Sequence, residues 1–203
     1  MSLVYRRPTQ LAEIAPALEP VEQLAQSLTA DLSDAAFNWQ PVAGKAWSVG
    51  QVFDHLEKSA RIYLDAMVAA FEERFDRPDV VSQAQVGDDS PVAFSQGWFE
   101  RWFLGQIEPP PKRRLSATKK TVPAARFERE PLMAAWLAQH TRLRAFLEEL
   151  HGFDTNAIRF RNPFVSLFRF SLTTGLLVTA AHEYRHLGQA ERVTQSPGFP
   201  GRG

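Results

Sequence analysis

At 203 residues the chain has the length of one ordinary domain, able to bury about 70% of its unfolded surface. Its 44% hydrophobic and 23% charged residues exclude wholesale disorder, and the balance of 23 Lys and Arg against 23 Asp and Glu removes the electrostatic motive for a nucleic-acid or acidic-membrane binder. Without cysteine there is no disulfide framework, no thiolate nucleophile and no Cys-ligated metal, so any ion must be held by His and carboxylates.

The opening segment MSLVYRRPTQLAEIAP has a short basic patch with no apolar core behind it, so no secretory leader is expected. From about Thr9 to Leu32, Leu18, Val21, Leu24, Ala25, Leu28 and Leu32 recur at helical spacing. Pro16 and Pro20 are expected to confine regular helix to the stretch after Pro20. After a loop through Pro41 and Gly44, Ser48 and Gln51 spell a capping box that opens a long helix ending near Arg74. Between Val92 and Ile107, Phe94, Trp98, Phe99, Trp102, Phe103 and Ile107 give a shorter helical pattern, broken by Pro109, Pro110 and Pro111.

Residues 112–129 read as an extended basic loop, and so long a loop needs something to close over. A further helix is expected from Pro131 to Leu150, stopped by His151-Gly152, and a last one from about Leu172 to Thr194. No β-hairpin signal stands out. The longest uncharged apolar stretch, Phe170–Ala181, contains Ser and three Thr and falls well short of the ~20 residues that span a bilayer. The fold class is therefore all-α, a four-helix bundle with long connections and one additional short helix. We expect a single domain over residues 1–195, a flexible tail at 196–203 and a cytoplasmic location.

Chemistry concentrates on histidine. His182 and His186 lie four apart on the last helix, about 6 Å along its axis, so both can reach one ion at ~2.0–2.1 Å. His55 sits mid-helix on a face that a bundle can turn toward them. His140 and His151 are most simply explained by solvent exposure and the helix dipole. His182-Glu183-Tyr184-Arg185-His186 also spells the zincin pattern, with Glu183 as base. Against a metallopeptidase, the position of a third zincin His is Arg192, and Glu191 is too close to serve as a ligand from a separate helix.

Asn38-Trp39-Gln40-Pro41 with Lys45-Ala46-Trp47-Ser48-Val49-Gly50-Gln51-Val52-Phe53-Asp54-His55-Leu56 resembles the loop and second helix of the DinB-like superfamily. Ala181-His182-Glu183-Tyr184-Arg185-His186-Leu187-Gly188-Gln189 resembles its last helix. The resemblance implies a four-helix bundle binding one divalent ion through His55, His182 and His186, and it selects His55 over His140 and His151. It also implies thiol-dependent transferase or metal-dependent hydrolase chemistry, which the superfamily shares among its members.

The leading expectation is thus a metal-dependent enzyme acting on a small molecule, either transferring a low-molecular-weight thiol or hydrolysing its substrate. Glu183 or Gln189 would position the reactants, Gln189 as a hydrogen-bond donor beside His186. The ion is Zn, Ni, Fe or Co, all suited to imidazole, and binding should weaken as pH falls through about 6.5. A non-catalytic, stress-associated metal protein is the alternative, and a homodimer is compatible with the apolar 92–107 segment. Lys112, Arg113, Arg114, Lys119, Lys120, Arg126 and Arg129 form a basic run, but with little aromatic interleaving it reads as a solvated loop and not a nucleic-acid site.

Overall fold

The computed structural model describes residues 3–74, 84–87, 92–113 and 116–201, so Arg114 of the basic run lies outside the described residues. A short 3-10 turn at Leu11–Glu13 leads directly into α1, Ile14–Thr29, which corrects the expected start beyond Pro20. Pro16 falls in the first turn, where backbone N–H groups have no intrahelical acceptor to lose. Pro20 removes one ladder bond, and the fully buried Ile14, Leu18, Val21 and Ala25 hold the helix against its neighbours regardless.

A one-turn helix α2, Asp34–Phe37, is capped by Ser33. The capping box of α3, Val49–Glu73, forms as expected: Ser48 Oγ accepts from the Gln51 N–H at 3.1 Å, and Gln51 Oε1 accepts from the Ser48 N–H at 3.0 Å. Helix α4, Trp98–Ile107, begins later than the expected Val92, its first turn fixed by Glu100 accepting from the Gly97 N–H at 3.1 Å. Helix α5 spans Arg129–Glu149 and is followed by Gly152 at φ +77°, a conformation glycine adopts without strain.

The absence of a hairpin is also corrected. Strands β1, Arg159–Arg161, and β2, Arg169–Ser171, pair antiparallel with Phe160 opposite Phe170, both rings buried in the core. Three-residue strands are too short for alternation to show. Helix α6, Leu172–Thr194, matches its expected span and is capped by Ser171 Oγ accepting from the Thr174 N–H.

Helices α1, α3, α5 and α6 form the bundle: α3 packs on α5 and α6, and α1 packs on the same two, while α4 leans on α6. The connection after α4 does close over something. Its residues 121–127 lie across the first half of α3, where Gln51 Nε2 donates to the Ala124 carbonyl and Asp54 accepts from the Ala124 N–H. Asn38 exchanges two 2.8 Å bonds with the Phe127 backbone, so the strap is tied at both ends. In the segment expected to be a flexible tail, Phe199 packs edge-on against Trp39. Among the described residues, no helix is long and apolar enough to cross a membrane.

Candidate metal centre

His55 lies in the seventh position of α3, 5% exposed, with the Trp47 ring 4.9 Å away. Its Nδ1 is 2.9 Å from the Thr121 carbonyl on the strap. A carbonyl can only accept, so the proton sits on Nδ1 and the Nε2 lone pair is left free. His186 repeats the arrangement: Nδ1 donates to Gln189 Oε1 at 2.9 Å, one turn further along α6. Gln189 therefore acts at the expected place but accepts where it was expected to donate.

His182 completes the cluster. Its Nε2 lies 3.2 Å from His55 Nε2, and one ligand nitrogen from each of the three rings falls within 4.8 Å of the others. Two nitrogens bound to one ion at ~2.0–2.1 Å and tetrahedral angles are about 3.3 Å apart, close to the 3.2 Å between His55 and His182. The donor set and the fixed protons suit a divalent ion.

Electrostatics keep these imidazoles neutral. Burial first, then the neighbouring His186, His55 and Arg185 charges, hold His182 well below its ordinary value. Burial and His55 push His186 down to about 3, and burial lowers His55 despite its bond to Thr121. Protons therefore compete for the site at lower pH than the ordinary value of about 6.5 would give.

The other titratable candidates do not join the three imidazoles. His151 is exposed beside Glu148, outside the cluster as expected. His140 is corrected: it is 2% exposed, with Nδ1 2.7 Å from Glu22 and Nε2 3.6 Å from Glu183. Burial opposes its charge, but the two carboxylates outweigh burial and raise its value. Glu183, 2% exposed, is not a solvated charge. It accepts from Trp136 Nε1 at 3.1 Å and faces His140, whereas a zincin base would face the ion.

A cavity of about 1090 Å³ opens beside the three imidazoles, walled by Trp47, Tyr63, Phe103 and Val178 among others. Of the α4 aromatics Trp98, Phe99, Trp102 and Phe103, Phe103 alone lines it. Phe99 packs at a tilt against Phe168 with centroids 4.4 Å apart, and Trp98 is 77% exposed beside the half-exposed Trp102. Nothing in the sequence assigns a role to the Thr121 carbonyl, to Trp47 or to Arg185. The Arg185 guanidinium ties α6 to the carbonyls of Gln106 and Arg113, both at 2.8 Å. For Trp47 a signal existed in its place directly before the helix cap, but a carbonyl acceptor leaves no mark in a sequence.

A helical bundle whose second long helix and last helix bring three neutral imidazoles to one point beside a cavity defines the class of protein. The chain belongs to the DinB superfamily, whose family model matches residues 17–190. Among solved structures it is similar to YfiT from Bacillus subtilis, described as a probable metal-dependent hydrolase with an unusual four-helix bundle topology. The two share 14% identity and a TM-score of 0.56 over 91% of this chain and 86% of that one, a likeness of fold. No curated protein matches the chain.

Proposed function

We propose that the protein is a divalent-metal-dependent enzyme acting on a small molecule, with the ion held by His55, His182 and His186. The fit of the donor set supports the ion. Its catalytic use is supported by the cavity beside it: among the described residues no further His or carboxylate joins the three imidazoles, and structural sites are normally closed by a fourth protein ligand. A divalent ion on neutral ligands keeps its full charge and supplies a Lewis acid that polarises a carbonyl or acidifies a thiol.

Of the two reactions, thiol-dependent group transfer is the better supported. One observation carries this choice: Glu183, the single carboxylate among the cavity-lining residues described, is committed to Trp136 and His140. The ion acidifies water and thiol alike, but water starts far less acidic and gains more from a side chain free to take its proton, whereas a thiol is deprotonated on the ion more readily. The chain has no cysteine, so the thiol arrives as a low-molecular-weight co-substrate. Gln189 and Thr121 hold the imidazoles in place, and the Trp47 and Phe103 rings exclude water from one side. Hydrolysis is the second reading, favoured by the description of YfiT.

The test is metal content, followed by turnover. Wild type and His151→Ala should carry one equivalent of divalent metal and His182→Ala none. A panel of small thiols and electrophiles should then be consumed by wild type and not by His182→Ala. A full equivalent retained by His182→Ala refutes the site. Ester turnover without added thiol, lost in the same variant, moves the assignment to hydrolysis, and one bound metal without any turnover moves it to a non-catalytic metal protein.

A further inference from the structure

We propose that the cavity selects a small molecule bearing an anionic group, carboxylate or phosphate, on an apolar body, and that Arg192, Arg113 and Lys45 anchor that group. The inference rests on the cavity being the substrate site and adds the substrate class to it. Its basis is an imbalance of charge. Lys45, Arg113, Arg185 and Arg192 all line the cavity, and they reach it from the loop before α3, from the segment after α4 and from the last turns of α6. Among the described residues, none of the four has an acidic partner within ion-pair distance; the ion pairs of this protein lie elsewhere. The one carboxylate in the wall, Glu183, is turned toward Trp136 and His140.

Arg185 makes the imbalance permanent. It is 9% exposed, and its guanidinium donates to main-chain carbonyls of Gln106, Ile107 and Arg113, which satisfy its hydrogen bonds without neutralising its charge. Arg192, two turns on, lies back over Gly188 toward the imidazoles: its Nη1 is 3.5 Å from where a Cβ on that glycine would stand. After burial, Arg192 is the next cause that lowers the Arg185 value, so the two guanidiniums sense each other. Arg192 is exposed and has no acidic partner among the described residues, so it can close a bidentate contact on an incoming anion. A cleft of one sign of charge with apolar walls focuses potential and concentrates counter-ions, and a bound divalent ion adds to it. The walls of Trp47, Tyr63, Phe103 and Val178 call for an apolar body behind the anion.

Calorimetric titration of metal-free and zinc-loaded protein with 4-phenylbutyrate, phenyl phosphate, 4-phenylbutanol and 4-phenylbutylamine tests the inference. One or both anions should bind at least about tenfold tighter than the alcohol in metal-free protein, with the amine weakest; the stronger anion identifies the group. Arg192→Gln should cost the anions about tenfold and leave the alcohol unchanged, whereas Arg61→Gln, paired with Glu57 outside the cavity, should change nothing. The inference is overturned if neither anion binds, if the alcohol or amine binds as well as the anions, or if Arg192→Gln with Arg113→Gln leaves anion binding intact. Anion preference in a wild type that takes up no metal sinks the metal reading and keeps this one; one bound metal without anion preference does the reverse.

Discussion

Replacing Glu183 with Ala should destabilise the fold by about 3–5 kcal/mol and leave the metal equivalent in place. The carboxylate serves two buried groups at once. Trp136 is fully buried and its indole N–H donates to Oε2 at 3.1 Å, so the truncation strands a donor, which costs roughly 1–3 kcal/mol. His140 Nε2, 3.6 Å from Oε1, loses one of its two counter-charges and is left with Glu22 at 2.7 Å. Removing one partner of a buried ion pair costs roughly 3–5 kcal/mol, and because one carboxylate makes both contacts the two figures overlap and do not add. Glu183→Gln keeps an acceptor for Trp136 and loses only the charge, so about 1–2 kcal/mol is expected from the loss of one charge-assisted contact. Urea titration followed by circular dichroism reads the stability, and elemental analysis of the same samples reads the metal. A wild-type midpoint for Glu183→Ala would refute the network. An inactive Glu183→Gln of unchanged stability would show instead that this carboxylate handles a proton in the reaction, and the choice of thiol transfer over hydrolysis would fall with it.

Three further outcomes are expected. Because the folded value of His140 is raised above its unfolded value of about 6.5, its contribution is fully present below that pH and is lost as pH rises through the folded value. The stability gap between wild type and His140→Asn should therefore shrink from pH 6 to pH 9, and a constant gap would contradict the ionised pair. Gln189→Leu removes the acceptor that fixes the His186 ring and should weaken metal affinity by roughly 10–100-fold in a chelator competition, with full affinity counting against that role. A side-chain carbon on Gly175 would stand 2.8 Å from Phe160 Cε1 and closer still to Met67 Sδ, so Gly175→Val should cost roughly 1–3 kcal/mol of overpacking; an unchanged urea midpoint would mean that the core there has slack.

What the sequence discloses about this molecule is what a single helix can fix. His182 and His186 need only the helical repeat to share a face, and the α6 boundaries follow from the cap at Ser171 and the apolar run behind it. The third ligand needs tertiary structure. His55 and His140 are both buried, His55 on a helix that packs against α6 and His140 on α5, from which its side chain reaches Glu183 of α6. Spacing does not choose between them, and the family resemblance did. The structure supplies the physical reason: His140 meets α6 at Glu183, one residue and about 100° of helix rotation away from His182, and so meets a carboxylate where His55 meets imidazoles.

The same limit explains the misplaced start of α4. Phe94 continues the helical spacing of the 98–107 face, yet its N–H donates to the carbonyl of Thr9, far earlier in the chain, at 2.7 Å, a partner that no local pattern announces. It also explains why a neutral chain can carry an anion-seeking cavity. A count of 23 against 23 averages over the surface, whereas Lys45, Arg113, Arg185 and Arg192 converge only once the loop before α3, the segment after α4 and the end of α6 are folded together. Net charge speaks to the long-range field of a protein, and recognition is set by the few charges that share one cleft without partners. Neutrality rightly argued against a polyanion such as nucleic acid, which would need a broad basic face. It left open a small ligand with one anionic group, because a single such group needs no more than the two or three unpaired cations that this fold brings to the imidazoles.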